Sequence, residues 1–491
     1  MTAQETAERR QRARAALQRR DFAAARREVE RLVADEPGNP DGHGLLGSIR
    51  NETGDAAGAA ESFATALRLR PGHGPTAHLL AAALLRLGDI DRALAVLAPA
   101  AAAAPDDAPL QATHAVALVR AERLAEAAEA AERATRRDPS LVPAWMNLGT
   151  ARRLQGDNAG ALAATDEAVR RQPDLAEAHV NRALALLSLG RMDEGWTEHD
   201  WYWRQAHTPP RPLPQPWWDG SAVQGRIAVW GDQGIGDQLW ASAYIPDMVR
   251  AGHRLVLECP ERAAGLFARS FPDIEVVAAT DPVDARLTAP DIVAQTPLSR
   301  LAAIAWRRHG RTSRPDARLT PDPNHVAAIR ARYRNLAGDR RILGIAWRSR
   351  KPDGQIFEVP LVRWEPLLRD RGLFVVNLQY GDTRDERIRT QEWFGTAPYH
   401  DEAIDAVADI DGFAAQVVAL DGVATVVNAT VATALAVGTP AIVAVRRFQP
   451  DWRYPPGAET SPWLPGARLV RQQAGDRWDD VMTRMVVLAT A

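Results

Sequence analysis

Prolines recur at Pro37, Pro71, Pro105, Pro139 and Pro173 with one constant spacing, and alanines keep the same step at Ala25, Ala59, Ala93, Ala127 and Ala161. A fixed period of this length restricts the fold to units that stack on copies of themselves, since one such unit cannot bury its own apolar face. In the clearest unit, Trp145, Leu148 and Gly149 fall on a first helix and Gly156-Asp157 forms a turn. Ala161 stands where two helices cross, Ala168 packs in the second helix, and Pro173 ends it because proline cannot continue a helix. The turn recurs as Gly54-Asp55 and Gly88-Asp89, reads Ala121-Glu122 in the fourth unit, and returns as Gly190-Arg191 in a partial sixth that starts near Ala176. Trp196, Trp201 and Trp203 follow and are expected to cap the open end of the stack.

The period is that of the tetratricopeptide (TPR) repeat, a helix–turn–helix unit that winds into a superhelix with a groove suited to a protein segment. The expectation is an all-α TPR solenoid over residues 1–206, with five repeats, a partial sixth and a cap. Asn147 and Asn181 occupy equivalent positions on neighbouring first helices. Side-chain amides there either pair with the backbone of an acceptor peptide or serve as ordinary capping and solvated groups. Earlier units carry Leu45, Leu79 and Thr113 at that position, so such a ladder has two rungs.

The 491 residues leave room for roughly three domains. A net charge of −2 gives no global field for nucleic acid or an acidic membrane. The lone Cys259 excludes internal disulfides and cysteine-rich metal sites. The opening MTAQETAERRQRAR has no apolar core of a signal peptide, and the run LAVLAPAAAAAP is too short to span a bilayer. A soluble cytoplasmic protein is expected. The stretch HTPPRPLPQPWWDG is too rich in proline for a helix or central strand, and residues 207–224 read as a linker.

Beyond it the periodicity changes. RIAVW reads as a buried strand, followed by the glycine-rich Gly231–Asp237 and a helix over LWASAYIPDMVRAG. HRLVLECP, ERAAGLFARSF and IEVVAA continue as strand, helix and strand. A second unit reads ILGIAWRS, VRWEPLLRD, LFVVNLQY, FAAQVVALD, GVATVVN, TVATALAVG and PAIVAV in alternation. This βαβ order predicts two Rossmann-like domains, residues 225–338 and 339–491, with ligands at the carboxyl ends of the strands. Those ends are Gly231–Asp237, Arg348–Lys351, Gln379–Asp382 and Asn428–Thr430.

Gly231, Gly234 and Gly236 follow GxxGxG order, not the GxGxxG dinucleotide fingerprint, so NAD is not supported. Asp237 reads either as a helix N-cap or as a general base at a cleft mouth. Arg348, Ser349, Arg350 and Lys351, directly after a strand, suit a diphosphate or a solvated turn. Gln379 and Tyr380 stand where a base or sugar would be met, or in a plain loop. Asn428 and Thr430 open a helix, by capping alone or with a phosphate there. His253 and His400 are expected to serve structure or surface. No metal-ligand cluster is evident.

The stretches WGDQGIGDQLWASAYIPDM, VLECPERAAGLFARSFP, GIAWRS, VNLQYGD and DWRYPPGAETSPWLPGARLVRQ resemble bacterial TPR-fused glycosyltransferases. The catalytic part of these is GT-B-like and related to the heptosyltransferase-like group, glycosyltransferase family 9, and some members modify flagellin. The resemblance implies that Asp237 activates the acceptor hydroxyl and that Arg348 and Lys351 contact the donor diphosphate. It implies a nucleotide-sugar co-substrate with no cofactor and no bound metal. The family pattern S-V-D-N-S-T-V-H-L-A-G-A-L-G meets Thr425–Gly438 here, with Asn428 and Thr430 matching, Val427 at the acidic position and Ala432 at the histidine position.

Two functions are therefore expected. One is a metal-independent transferase that moves a sugar to a polypeptide held by the TPR groove, such as flagellin or another surface protein. The other is a non-catalytic adaptor, which Val427 and Ala432 favour. Transfer to a lipid-linked glycan is weaker, because no basic amphipathic membrane surface stands out.

Overall fold

The computed structural model describes residues 3–310, 319–350, 356–448 and 451–490. The chain forms two compact units, Met1–Gln205 and Ala206–Ala491.

In the first unit, twelve helices among the described residues run as consecutive pairs: α1 (Ala3–Gln18) with α2 (Phe22–Asp35), α3 (Pro40–Glu52) with α4 (Ala56–Leu69), and α5 (Gly74–Arg86) with α6 (Ile90–Ala103). They continue as α7 (Ala108–Arg120) with α8 (Leu124–Arg137), α9 (Val142–Leu154) with α10 (Asn158–Arg171), and α11 (Ala176–Ser188) with α12 (Met192–His199). The repeat is legible in backbone angles. Each turn has one residue at positive φ: Arg20, Gly54, Gly88, Glu122, Gly156 and Gly190. The fourth turn is thus Glu122-Arg123, one residue later than the sequence reading of Ala121-Glu122, because the left-handed position falls on Glu122 at φ 58°. Asp21, Asp55, Asp89 and Asp157 follow that position and cap the next helix through their carboxylates. The residues before the ladder prolines, such as Glu36, Arg70 and Gln172, turn away from helical angles, as the proline ring requires.

The ladder alanines are buried without exception. Gly149 serves the same close crossing: a Cβ there would lie 2.8 Å from Thr165 Cγ2. At the end of the stack, Trp196 is buried and Trp201 stacks on His179 at 3.8 Å between ring centroids. Both ring nitrogens of His179 face acceptors, Glu198 Oε2 at 2.6 Å and the Pro173 carbonyl at 2.7 Å.

The second unit holds two parallel sheets. The first lobe contains β1 (Arg226–Trp230), α13 (Ile235–Ala241), α14 (Ile245–Arg250), β2 (Arg254–Cys259), α15 (Glu261–Ser270), β3 (Glu275–Ala278), β4 (Ile292–Pro297) and α16 (Leu301–His309), with strand order β3-β2-β1-β4. α17 (Pro323–Ala337) leads to the second lobe. There follow β5 (Arg341–Ala346), β6 (Arg348–Arg350), β7 (Ile356–Glu358), α18 (Glu365–Leu368), β8 (Leu373–Asn377) and α19 (Arg384–Phe394). α20 (Ile410–Val418), β9 (Gly422–Val426), α21 (Ala429–Val437), β10 (Ala441–Val445), β11 (Ala467–Arg471) and α22 (Trp478–Thr490) complete the lobe. The strand order is β11-β10-β9-β5-β8, with β6 and β7 as a separate antiparallel pair.

Several sequence expectations change here. The proline-rich stretch is not a free linker. The backbones of Trp218 and Pro216 exchange hydrogen bonds with Gln295 of β4 at 2.7 and 2.9 Å, and Arg211 grips the buried Glu258 at 2.7–3.2 Å. The prolines leave it with few donors, and Gln295 supplies them: its side-chain Nε2 donates to the carbonyls of Leu213 and Gln215. α17, placed with the first lobe by the boundary at 338, packs instead on the second. Arg330 and Arg334 bind Asp421, and Tyr333 donates to Asp401. The helix over LWASAYIPDMVRAG begins earlier, at Ile235, breaks into a 3-10 turn and restarts at Ile245, since Pro246 lacks the N–H needed to continue it. ILGIAWRS is two strands split at the buried Trp347.

Candidate functional site

Strand order locates a site without reference to any ligand. In an open parallel sheet, ligands bind at the carboxyl ends of the strands where the chain order reverses. In the first lobe that reversal lies between β1 and β4, and in the second between β5 and β9. Beyond β1, Asp232 Oδ1 accepts the Ser299 amide from the segment after β4 at 2.9 Å. Beyond β9, the Asn428 side chain donates to the Arg348 carbonyl beyond β5 at 3.2 Å. Side-chain hydrogen bonds thus bridge each switch point.

The two switch points also meet. A Cβ built on Gly236 would stand 3.1 Å from Ala429 Cα and 3.8 Å from Ala432 Cβ, so α13 and α21 touch through small residues. Asp237 Oδ1 is 3.0 Å from Arg453 Nη2, and the Trp240 indole donates to the Trp463 carbonyl at 2.9 Å. Trp240 and Trp306 of the first lobe meet Trp452 and Trp463 of the second in one aromatic cluster.

The glycine loop is under tension at two points. Gln233 holds φ at 57°, a left-handed angle costly for a side-chain residue. Asp232 is buried, and its Oδ2, like the Gln238 Oε1 nearby in sequence, has no hydrogen-bond partner among the described residues. Burial, and to a lesser degree the charge of Asp237, push the Asp232 carboxyl up to about 6. This site residue escaped the sequence reading, which weighed only the second acid of the loop; the paired spacing of Asp232 and Asp237 in GDQGIGD was the available signal. Arg453 escaped as well, though it stands in the DWRYPPG run.

The residues singled out from sequence fare unequally. Asp237 lies inside the first turn of α13, and Gly234 takes the N-cap position, so the capping reading of Asp237 is corrected. Gly236 is the close contact between lobes. Asn428 is the N-cap of α21, accepting from the amides of Thr430 and Val431, and Thr430 is buried behind it. Gln379 is buried and committed: its Oε1 accepts the amides of Trp347 and Arg348 at 3.0 and 2.7 Å, and its Nε2 donates to the Tyr380 carbonyl, so it braces the turn instead of facing a base or sugar. Arg348 pairs with Glu386 at 3.2 Å, which offsets the charge that the sequence offered to a diphosphate. Ser349 faces Phe357 across the β6–β7 pair. Lys351 lies outside the described residues. Asn147 donates Nδ2 to the Ala112 carbonyl of the preceding repeat at 2.9 Å, so that N–H ties repeats together; Asn181, half-buried on α11, makes no such bond. His253 is buried edge-on to Trp218, and His400 faces Asn377.

Two cavities of about 480 and 300 Å³ lie on the first lobe, lined by residues such as Asp219, His253 and Arg308, or Ile245 and Phe271, and by none of the strand-end residues. No helix among the described residues is long and apolar enough to cross a membrane.

Comparison with known proteins bears on both units. Models of the tetratricopeptide repeat match residues 51–117, and residues 10–73, 112–175 and 146–195. Protein FlbA of Caulobacter vibrioides is 30% identical over 524 aligned positions, which span 96% of this chain and 87% of that protein. Among solved structures, residues 41 to the end of MamA from Desulfovibrio magneticus RS-1 share 24% identity over 36% of this chain and 99% of that one, with a TM-score of 0.33. PilW, a type IV pilus biogenesis factor, shares 18% identity over 42% and 94%, with a TM-score of 0.38.

Proposed function

The chain belongs to the family of Protein FlbA, and we propose that it is a glycosyltransferase of GT-B type. In this reading the TPR unit holds a polypeptide acceptor, such as a flagellin or another surface protein, and the α/β unit supplies a sugar from a nucleotide-sugar. The observation that carries the reading is the meeting of two switch points, with the carboxylate of Asp237 at the junction. Asp237 takes the proton of an acceptor hydroxyl as that oxygen attacks the anomeric carbon. The departing diphosphate is met by cations and by the amides at the start of α21.

The adaptor reading is favoured by one observation, the commitment of Arg348 and Gln379 to Glu386 and to the backbone. Calorimetric titration of the full chain with UDP, GDP, ADP and CMP separates the two. Saturable binding of one nucleotide, weakened in Arg348→Ala, supports the transferase. Binding of none by a folded sample supports the adaptor.

A further inference from the structure

Arg453 is a cation with two carboxylates. From its own loop, Asp451 grips it at both oxygens, with Nε 3.0 and 3.1 Å away and Nη2 at 2.7 Å. The Arg453 amide also donates to Asp451 Oδ1 at 2.9 Å, so this grip is built into a local turn. From the other lobe, Asp237 reaches the same Nη2 at 3.0 Å. The guanidinium lies over the Trp240 ring, 5.0 Å from its centroid. Asp451 holds Arg453 through its own loop, and Asp237 is a second anion on a single charge. Its side chain is 32% exposed, within reach of a competing anion.

A diphosphate offers that guanidinium more charge and more acceptor oxygens than one carboxylate does. We propose that Arg453 exchanges partners: it holds Asp237 until the diphosphate of a nucleoside-diphosphate donor takes that place, and only then is Asp237 released to accept a proton. The inference rests on the transferase reading and adds an order to it, donor before acceptor. The step balances. The acceptor O–H proton passes to Asp237, the acceptor oxygen bonds to the anomeric carbon, and the bond from that carbon to the diphosphate oxygen breaks. Its electron pair stays on the diphosphate, whose charge Arg453 then bears. Arg453 thus positions Asp237 before donor binding and contacts the leaving group after it.

The test is a calorimetric cycle on the full chain with UDP, GDP, ADP and CMP, comparing the native sequence, Asp237→Asn, Arg453→Gln and the double variant, with near-UV circular dichroism as the check on folding. Removing the competitor in Asp237→Asn is expected to tighten the accepted nucleotide roughly three- to tenfold. Arg453→Gln is expected to weaken it about tenfold or more, and Asp237→Asn should then have no further effect. Tightening of equal size in the Arg453→Gln background would reveal a general charge effect and overturn the exchange. So would an unchanged or weakened affinity in Asp237→Asn, and because Asn keeps the shape of Asp, that outcome overturns the exchange even if Arg453→Gln misfolds. Failure of the native chain to bind any of the four nucleotides would remove the transferase reading, and the exchange with it.

Discussion

Asp232 is a carboxyl kept where water cannot solvate it, with one oxygen on the Ser299 amide and the other unpaired among the described residues. Its pKa of about 6 lies above the unfolded value near 3.9, so the folded chain binds the extra proton. Stability from this group is therefore fully present below about pH 4, declines as pH rises toward 6, and stays low above it, by up to about 3 kcal/mol. Asp232→Asn keeps the acceptor for Ser299 and carries no charge. Urea unfolding of the full chain should show the variant more stable than the native sequence at pH 8, with the gap narrowing as pH falls and closing only below about pH 4. A gap independent of pH would contradict the assignment. Gly236→Ala is the second test at this scale. Its methyl would meet backbone at 3.1 Å, so α13 and α21 must separate, at a cost of about 1–3 kcal/mol. The urea midpoint of the full chain should fall accordingly. Motif spacing made Asp237 visible in the sequence. It could not show the close contact at Gly236 or the partner at Arg453, because both depend on which segments of the second lobe come to lie against the loop.

Elements repeat because turns and caps repeat, and the fourth turn, which lacks both the glycine and the capping aspartate, can be repaired. Glu122 holds a left-handed angle at φ 58°, and Arg123 provides no cap for α8. Glu122→Gly with Arg123→Asp gives this turn the Gly-Asp pair of Gly54-Asp55, Gly88-Asp89 and Gly156-Asp157. It should slow hydrogen exchange across α7 and α8 by an amount corresponding to about 1–2 kcal/mol. Unchanged exchange would mean that neither the angle nor the missing cap limits this repeat. At the open end, Trp201→Ala removes the stack on His179 and should speed exchange in α11 and α12, leaving α3 to α6 unchanged, since each repeat touches only its neighbours. The helical half was legible because a fixed period reveals itself several times over. The α/β half was read in part: β1, β2, β9 and β10 are short apolar runs, whereas β4 ends in polar Gln295 and Thr296 before Pro297, and β11 carries arginine at both its exposed and final positions. Those strands are specified by their neighbours more than by their own pattern.

At the scale of the molecule, the chain joins a repeat array of a kind that binds protein segments to a pair of lobes whose switch points converge. α17 belongs with the second lobe, because Arg330 and Arg334 tie it to Asp421. Proline content suggested a linker at 207–224, but proline also suits a segment laid along a sheet edge, where its missing N–H costs nothing. The proposed ligand site lies where the glycine loop meets α21. Hydrogen exchange of the full chain, with and without a saturating concentration of the nucleotide it binds, tests this most directly. Slowed exchange is expected in residues 231–238 and 428–433 together, with the TPR unit unaffected. Protection confined to one lobe, or found only outside both segments, would contradict it.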